Sequence, residues 1–169
     1  MGQDGAMDLR TELRFDADPA SVFAMFTDEM YVGRKAKAAN AVRHEVSIDR
    51  DGDRFTVRLL RVMPPDVPDF IRRFVGDSID LAQTERWEPA SSDGARDGSI
   101  HIEMVGQPVT FNGTMALRPN SHGSITTVQG TIKASVPFVG GRIERAVHGA
   151  LVEAARIEQQ VGRDWLTRT

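Results

Sequence analysis

The sequence predicts an α+β fold in which a curved antiparallel sheet of about seven strands, ordered β-α-α-β6-α, wraps around a long C-terminal helix. Three observations carry this. Short segments alternate apolar and polar residues with period two. Most are joined by connections of hairpin length, which makes neighbouring strands antiparallel. The last apolar run, after Pro137, Gly140 and Gly141, repeats with helical period.

Residues 7–15 place Met7, Leu9, Leu13 and Phe15 on one side of a half-buried strand, with Thr11 interrupting that side. Asp18 then reads as an N-cap, and Pro19 suits a first helical position. Val22, Phe23 and Phe26 of that helix face the core. A second short helix is expected over residues 29–40, with Gly33 inside it. Asp51-Gly52 reads as a two-residue hairpin turn, which would set Ile48 opposite Phe55, Val46 opposite Val57, His44 opposite Leu59 and Val42 opposite Arg61. Further strands are expected over 79–87, 99–104, 109–117 and 124–136. A turn at Val105 to Pro108 pairs Ile102 with Phe111 and Met104 with Val109. In the last strand Ile125 is out of phase with Val128 and Ile132, and a bulge would reconcile them.

Composition bounds the function. A chain of 169 residues, 40% apolar and 27% charged, suits one globular domain, here over 7–169 behind a flexible leader at 1–6. The absence of cysteine removes disulfides, thiolate metal sites and cysteine nucleophiles. A net charge of −3 argues against nucleic acid as a partner. No apolar run is long enough for a signal peptide or membrane span, so a cytoplasmic protein without stable membrane insertion is expected. Nucleophile elbow, P-loop, dinucleotide fingerprint and HExxH are missing, and His101, His122 and His148 share no ligand spacing, so neither a metal nor a cofactor is expected. Gly140-Gly141 could suggest a phosphate site, but a sharp strand-to-helix turn explains it more simply.

The terminal helix places Ile143, Val147, Ala150, Ala154, Ile157, Val161 and Trp165 in one stripe, small in the middle where Ala146 adds to Ala150 and Ala154. Small residues over a curved sheet leave room for a ligand, unless large sheet side chains fill it. His44, Arg61, Gln83 and Glu85 interrupt strand faces that otherwise read as inward, and they would form one polar wall. Trp87, Ile102, Met104, Phe111 and Met115 share the inward faces. A buried glutamate near arginine or histidine has its charge set by desolvation against pairing, which serves an ion pair, a ligand contact or acid–base chemistry alike. Between strands, Val67, Phe70, Ile71, Phe74 and Val75 mark a short amphipathic helix with Asp66 as N-cap and Gly76 as stop. It reads as a lid over the cavity, as a patch that touches a membrane, or as a fixed plug.

The segment "DPASVFAMFTD", the six-strand run and the long helix after "VPFVGG" resemble the helix-grip fold of the START-like superfamily, which includes lipid-transfer proteins and polyketide cyclases. "VRHEVSID", "VPDFIRRFVGD", "QTERW" and "SVPFVGGRIE" are similar to a bacterial branch of it described only as a domain of unknown function. The resemblance spans residues 7–166 and implies a shared cavity without a shared catalytic set. The expected function is a binding or carrier domain for an apolar or amphipathic small molecule, lipid or polyketide-like. Two alternatives are a cyclase, aromatase or hydrolase using His44, Glu85 or Arg61, and a protein-interaction module with a filled core. Nothing in the sequence sets an oligomeric state.

Overall fold

A computed structural model describes residues 6–168. The chain runs β1 (Ala6–Phe15), α1 (Pro19–Phe26), α2 (Glu29–Ala38), β2 (Arg43–Asp51), β3 (Arg54–Met63), α3 (Asp69–Val75), β4 (Ile79–Trp87), β5 (Arg96–Met104), β6 (Val109–Asn120), β7 (Gly123–Ala134) and α4 (Gly140–Thr167). The strands form one seven-stranded antiparallel sheet in the order β1-β7-β6-β5-β4-β3-β2. This is the helix-grip architecture expected from the sequence. Of the leader expected over 1–6, Ala6 begins β1 and the rest lies outside the described residues.

Helices α1 and α2 start where side-chain acceptors meet their free N–H groups. Asp18 accepts from the Ser21 amide at 3.3 Å, and Asp28 from the Met30 amide at 2.8 Å. The sheet's bend has a local cause in β6 and β7, where Gly113 faces Gly130. A Cβ at Gly113 would sit 2.5 Å from the Gln129 carbonyl oxygen, and one at Gly130 would meet the Asn112 carbonyl, so the two backbones close up as only glycine permits. α4 lies across the concave face and packs chiefly on β1 and β7, leaving the β3–β5 side open to the interior.

Four expectations are corrected. The β2–β3 register is shifted by two residues, with Ile48 opposite Val57, Val46 opposite Leu59 and His44 opposite Arg61. The turn residues are Gly52 and Asp53. Gly52, at φ 62°, takes the first turn position, and Asp53 is locked by the Ala90 amide at 2.9 Å and by Arg96 at 2.7 Å. β7 has no bulge, because its ladder to β6 is continuous from Val109–Ala134 to Asn120–Gly123. Its phase conflict resolves differently: Ser124 and Thr126 point inward and are buried. α3 begins at Asp69, after Pro68, so Asp66 is not its cap; Gly76 does end it, at φ 79°. Along α4 the inward track is Ile143, Val147, Leu151, Ala155, Glu158, Gly162 and Trp165. Ala150 is exposed, because the true track passes through Glu158 and Gly162, which apolar periodicity skips.

The core divides into two clusters. The larger gathers Phe15, Phe23, Phe26, Tyr31 and Trp87 where α1 and α2 cover the sheet. The smaller joins Ile71 of α3 to Ile79, Met104, Val109, Ala134 and Ile143 near the start of α4. Burying Ile71 there is worth about 2 kcal/mol.

Candidate functional site

Between the concave face and helices α1, α2 and α4 lies a cavity of about 100 Å³. One wall is apolar. Leu9 and Leu13 of β1, Phe111 and Met115 of β6 and Val128 of β7 face Leu151, Ala154 and Ala155 of α4. Strand alternation puts these side chains inside, and the two alanines keep α4 from filling the space.

The other wall is polar and continuous. Arg61 of β3 donates from Nη2 to Gln83 Oε1 at 3.1 Å, and Gln83 Nε2 donates to Glu85 Oε2 at 2.7 Å. The indole Nε1 of Trp87 donates to Glu85 Oε1 at 3.3 Å. The sheet sets this row: Gln83, Glu85 and Trp87 alternate along β4, while Arg61 lies opposite Leu81, one step from Gln83. Gln83 and Glu85 are each 8% exposed. From the helices, Lys35 of α2 pairs with Glu158 of α4, Nζ to Oε2, at 3.0 Å, and the lysine side chain is 11% exposed. Tyr31 donates its hydroxyl to the Glu158 backbone carbonyl at 3.3 Å.

Charge states follow from this packing. Burial alone would push the Lys35 ammonium down, but Glu158 and Glu85 outweigh it and hold its pKa above the ordinary lysine value. Burial lowers the Arg61 pKa, with Glu158 and Glu85 opposing. Burial, then the same two carboxylates, pushes the Tyr31 phenol up. The interior thus holds two cations and two carboxylates, with Gln83 relaying between Arg61 and Glu85.

Of the sequence-expected site residues, Arg61, Gln83, Glu85, Trp87, Ile102, Phe111, Met115 and Ala154 line the cavity. Three do not. His44 is exposed on edge strand β2, where its ring lies over Gly33 of α2; a Cβ on that glycine would stand 2.8 Å from Nε2. Met104 belongs to the smaller cluster, and Ala150 faces outward. Val67, Phe70, Ile71 and Phe74 pack with that smaller cluster and none of them lines the cavity. Arg142 stacks over the Phe70 ring at 3.9 Å, and Gln107 donates to the Phe74 carbonyl at 3.2 Å. Sequence reasoning missed Lys35, Glu158 and Thr126. The only available signal for Thr126 was the phase of Ile132 and Val128, which carries back along β7 to it.

Residues 10–166 match the family described as "Protein of unknown function (DUF2505)", and the chain belongs to that family. It is 32% identical over 119 residues to the uncharacterized protein Rv0481c of Mycobacterium tuberculosis, covering 69% of this chain and 68% of that one. Among solved structures it is similar to a STAR-related lipid transfer protein fragment from Xanthomonas axonopodis, with TM-score 0.60, 17% identity, and 99% and 96% of the two chains covered. It is also similar to the di-domain ARO/CYC StfQ from the steffimycin biosynthetic pathway, with TM-score 0.62, 10% identity, and 94% of this chain and 50% of that one covered. At these identities the likeness is one of fold: α+β, START-like and helix-grip. No helix among the described residues is long and apolar enough to cross a membrane.

Proposed function

We propose that this chain is a binding domain that holds a small amphipathic molecule between its sheet and α4, and that it works in the cytoplasm. The observation that carries this is the division of one cavity into an apolar wall and a buried, hydrogen-bonded polar wall. Burying Arg61, Gln83, Glu85 and Lys35 opposes folding unless they are paired, and a filled core would not need them. Apolar concavities with a few convergent polar groups are the usual form of a ligand site. The two fold neighbours, a lipid transfer protein and an ARO/CYC protein, support the same reading.

The size of the cavity narrows the ligand. About 100 Å³ lies below the roughly 300–1,000 Å³ of pockets for drug-sized molecules, so a long acyl chain would require α4 to move off the sheet. The alternative of a catalyst keeps Glu85 and Arg61, which face the cavity, and loses His44, which does not.

Native mass spectrometry of the protein purified without detergent, followed by solvent extraction, tests the proposal. A stoichiometric small-molecule adduct is expected. A clean unliganded mass, with no uptake from a panel of lipids and aromatic compounds, would overturn it and favour the interaction module.

A further inference from the structure

The polar wall has an inner and an outer end. Exposure falls along its row, from the partly exposed Arg61 through Gln83 and Glu85 at 8% to Trp87 at 2%. Lys35 and Glu158 are partly exposed as well. Ala39 at the end of α2 and Ala154 on α4, each one helical turn from them, share both the lining and the partial exposure. Of the two interior carboxylates, Glu158 acts more strongly on Arg61. The cavity therefore meets solvent where α2 and α4 come together beside Arg61.

At this entrance the two cations are unequally matched. Lys35 pairs with Glu158 at 3.0 Å, and the carboxylates outweigh burial in holding its charge. At Arg61 burial outweighs the same carboxylates. Its one hydrogen bond among the described residues goes to the neutral Gln83 side chain, and no ion pair among those residues includes it. Glu85 is engaged by Gln83 and Trp87 instead. A guanidinium is a planar fork of donors that matches a carboxylate through two parallel hydrogen bonds, and most of the Arg61 fork is unspent. Because solvent reaches this end, a carboxylate placed there is not sealed from water with Glu85 and Glu158.

The strand ladder shapes the rest of the guest. The Arg61 guanidinium lies against Gln83 of β4, Gln83 is opposite Ile102 of β5, and Ile102 is opposite Phe111 of β6. Ile102 and Phe111 both line the cavity. An apolar floor thus begins beside the guanidinium and ends two strand spacings, roughly 10 Å, from β4. At about 100 Å³ the cavity takes a short hydrocarbon body on that floor.

We infer that the cavity binds small apolar carboxylates, with the carboxylate on the Arg61 guanidinium at the entrance and the hydrocarbon along Ile102 and Phe111. This rests on the binding reading above and deepens it by naming the head group and the residue that holds it.

Titration of 15N-labelled protein with hexanoate and hexanamide at neutral pH tests this, since the two differ in charge but hardly in shape. The Trp87 indole N–H, bonded to Glu85 at the inner end of the wall, serves as reporter, and Trp165, outside the cavity lining, as internal reference. Hexanoate is expected to bind at least about tenfold more tightly than hexanamide, the effect of a charge-assisted pair over a neutral hydrogen bond. Arg61→Met, which keeps an apolar stem and removes the fork, should abolish the difference between the two probes. Equal wild-type affinities, a preference for hexanamide, or an Arg61→Met protein that keeps the hexanoate preference would overturn the inference. Should the variant not fold, the wild-type comparison decides by itself. Binding of hexanamide without hexanoate leaves the binding reading standing and this inference overturned. If neither probe shifts the Trp87 signal, the inference falls, and the native mass spectrum of the purified protein separates the two claims. A stoichiometric adduct there keeps the binding reading, and a clean mass overturns both.

Discussion

The two ends of the concave face are built differently. Where α1 and α2 cover the sheet, rings interlock. Phe23 meets Trp87 edge-on with centroids 5.5 Å apart, Phe26 stacks on Trp87 at 6.1 Å, and Arg96 lies 3.8 Å over Phe23. At the α3 end no ring–ring pair occurs among the described residues, and Ile71 is the buried residue of a seven-residue helix. There too Phe138 is fully exposed with φ 72°. The aromatic end therefore anchors the fold beside the cavity's polar wall, and the α3 end packs its apolar side chains without ring–ring pairs among the described residues.

The comparison breaks first at Trp87. Trp87→Ala should destabilise the protein by about 4 kcal/mol, against about 2 kcal/mol for Ile71→Ala, read as denaturant midpoints. Equal losses would mean that the two ends are equivalent.

Next comes Glu158→Gln, which leaves Lys35 buried without its partner and should remove about 3 kcal/mol at pH 7. The pKa values of Lys35 and Tyr31 are both raised in the folded state. Their protonated forms therefore stabilise it fully below the unfolded values of about 10.4 and 10, and that stability is lost as pH climbs above them. Wild-type stability should fall above about pH 10. The gap to Glu158→Gln should narrow there as Lys35 deprotonates, a result that denaturation curves at pH 7, 9 and 11 would show.

Gly162→Ala follows. Helix propensity alone favours alanine by about 1 kcal/mol. Yet its Cβ would stand 2.6 Å from the Phe15 ring, so overpacking of the aromatic end should win, with a net loss of about 1–2 kcal/mol in thermal unfolding. The smallest effect belongs to the α3 end. Phe138→Gly should stabilise by about 1 kcal/mol by relieving a left-handed backbone, and thermal unfolding would again detect it.

Local chemistry made much of this legible in the sequence. Asp18 and Pro19 mark the start of α1, and the alternation of residues 79–87 gives β4 its limits and its inward Gln83, Glu85 and Trp87. The pairing of Ile102 with Phe111 follows from the short turn between their strands. What stayed hidden depends on how elements cross. Lys35 and Glu158 sit on different helices, and a charged helical residue reads as solvated until α2 meets α4. His44 has the right alternation, but β2 is an edge strand and α2 shields only part of it. Thr126 was masked by Ile125, whose apolar side chain lies on the opposite face.

The central claim is that the space beside Ala154 is a ligand site and not a packing defect. Ala154→Leu, placed on the cavity's α4 wall, tests it by filling that space. We would measure small-molecule uptake by native mass spectrometry together with the melting temperature of the variant. The account predicts an intact fold, unchanged or raised in melting temperature, that no longer takes up the molecule bound by the wild type. A variant with the same melting temperature and undiminished uptake would contradict it.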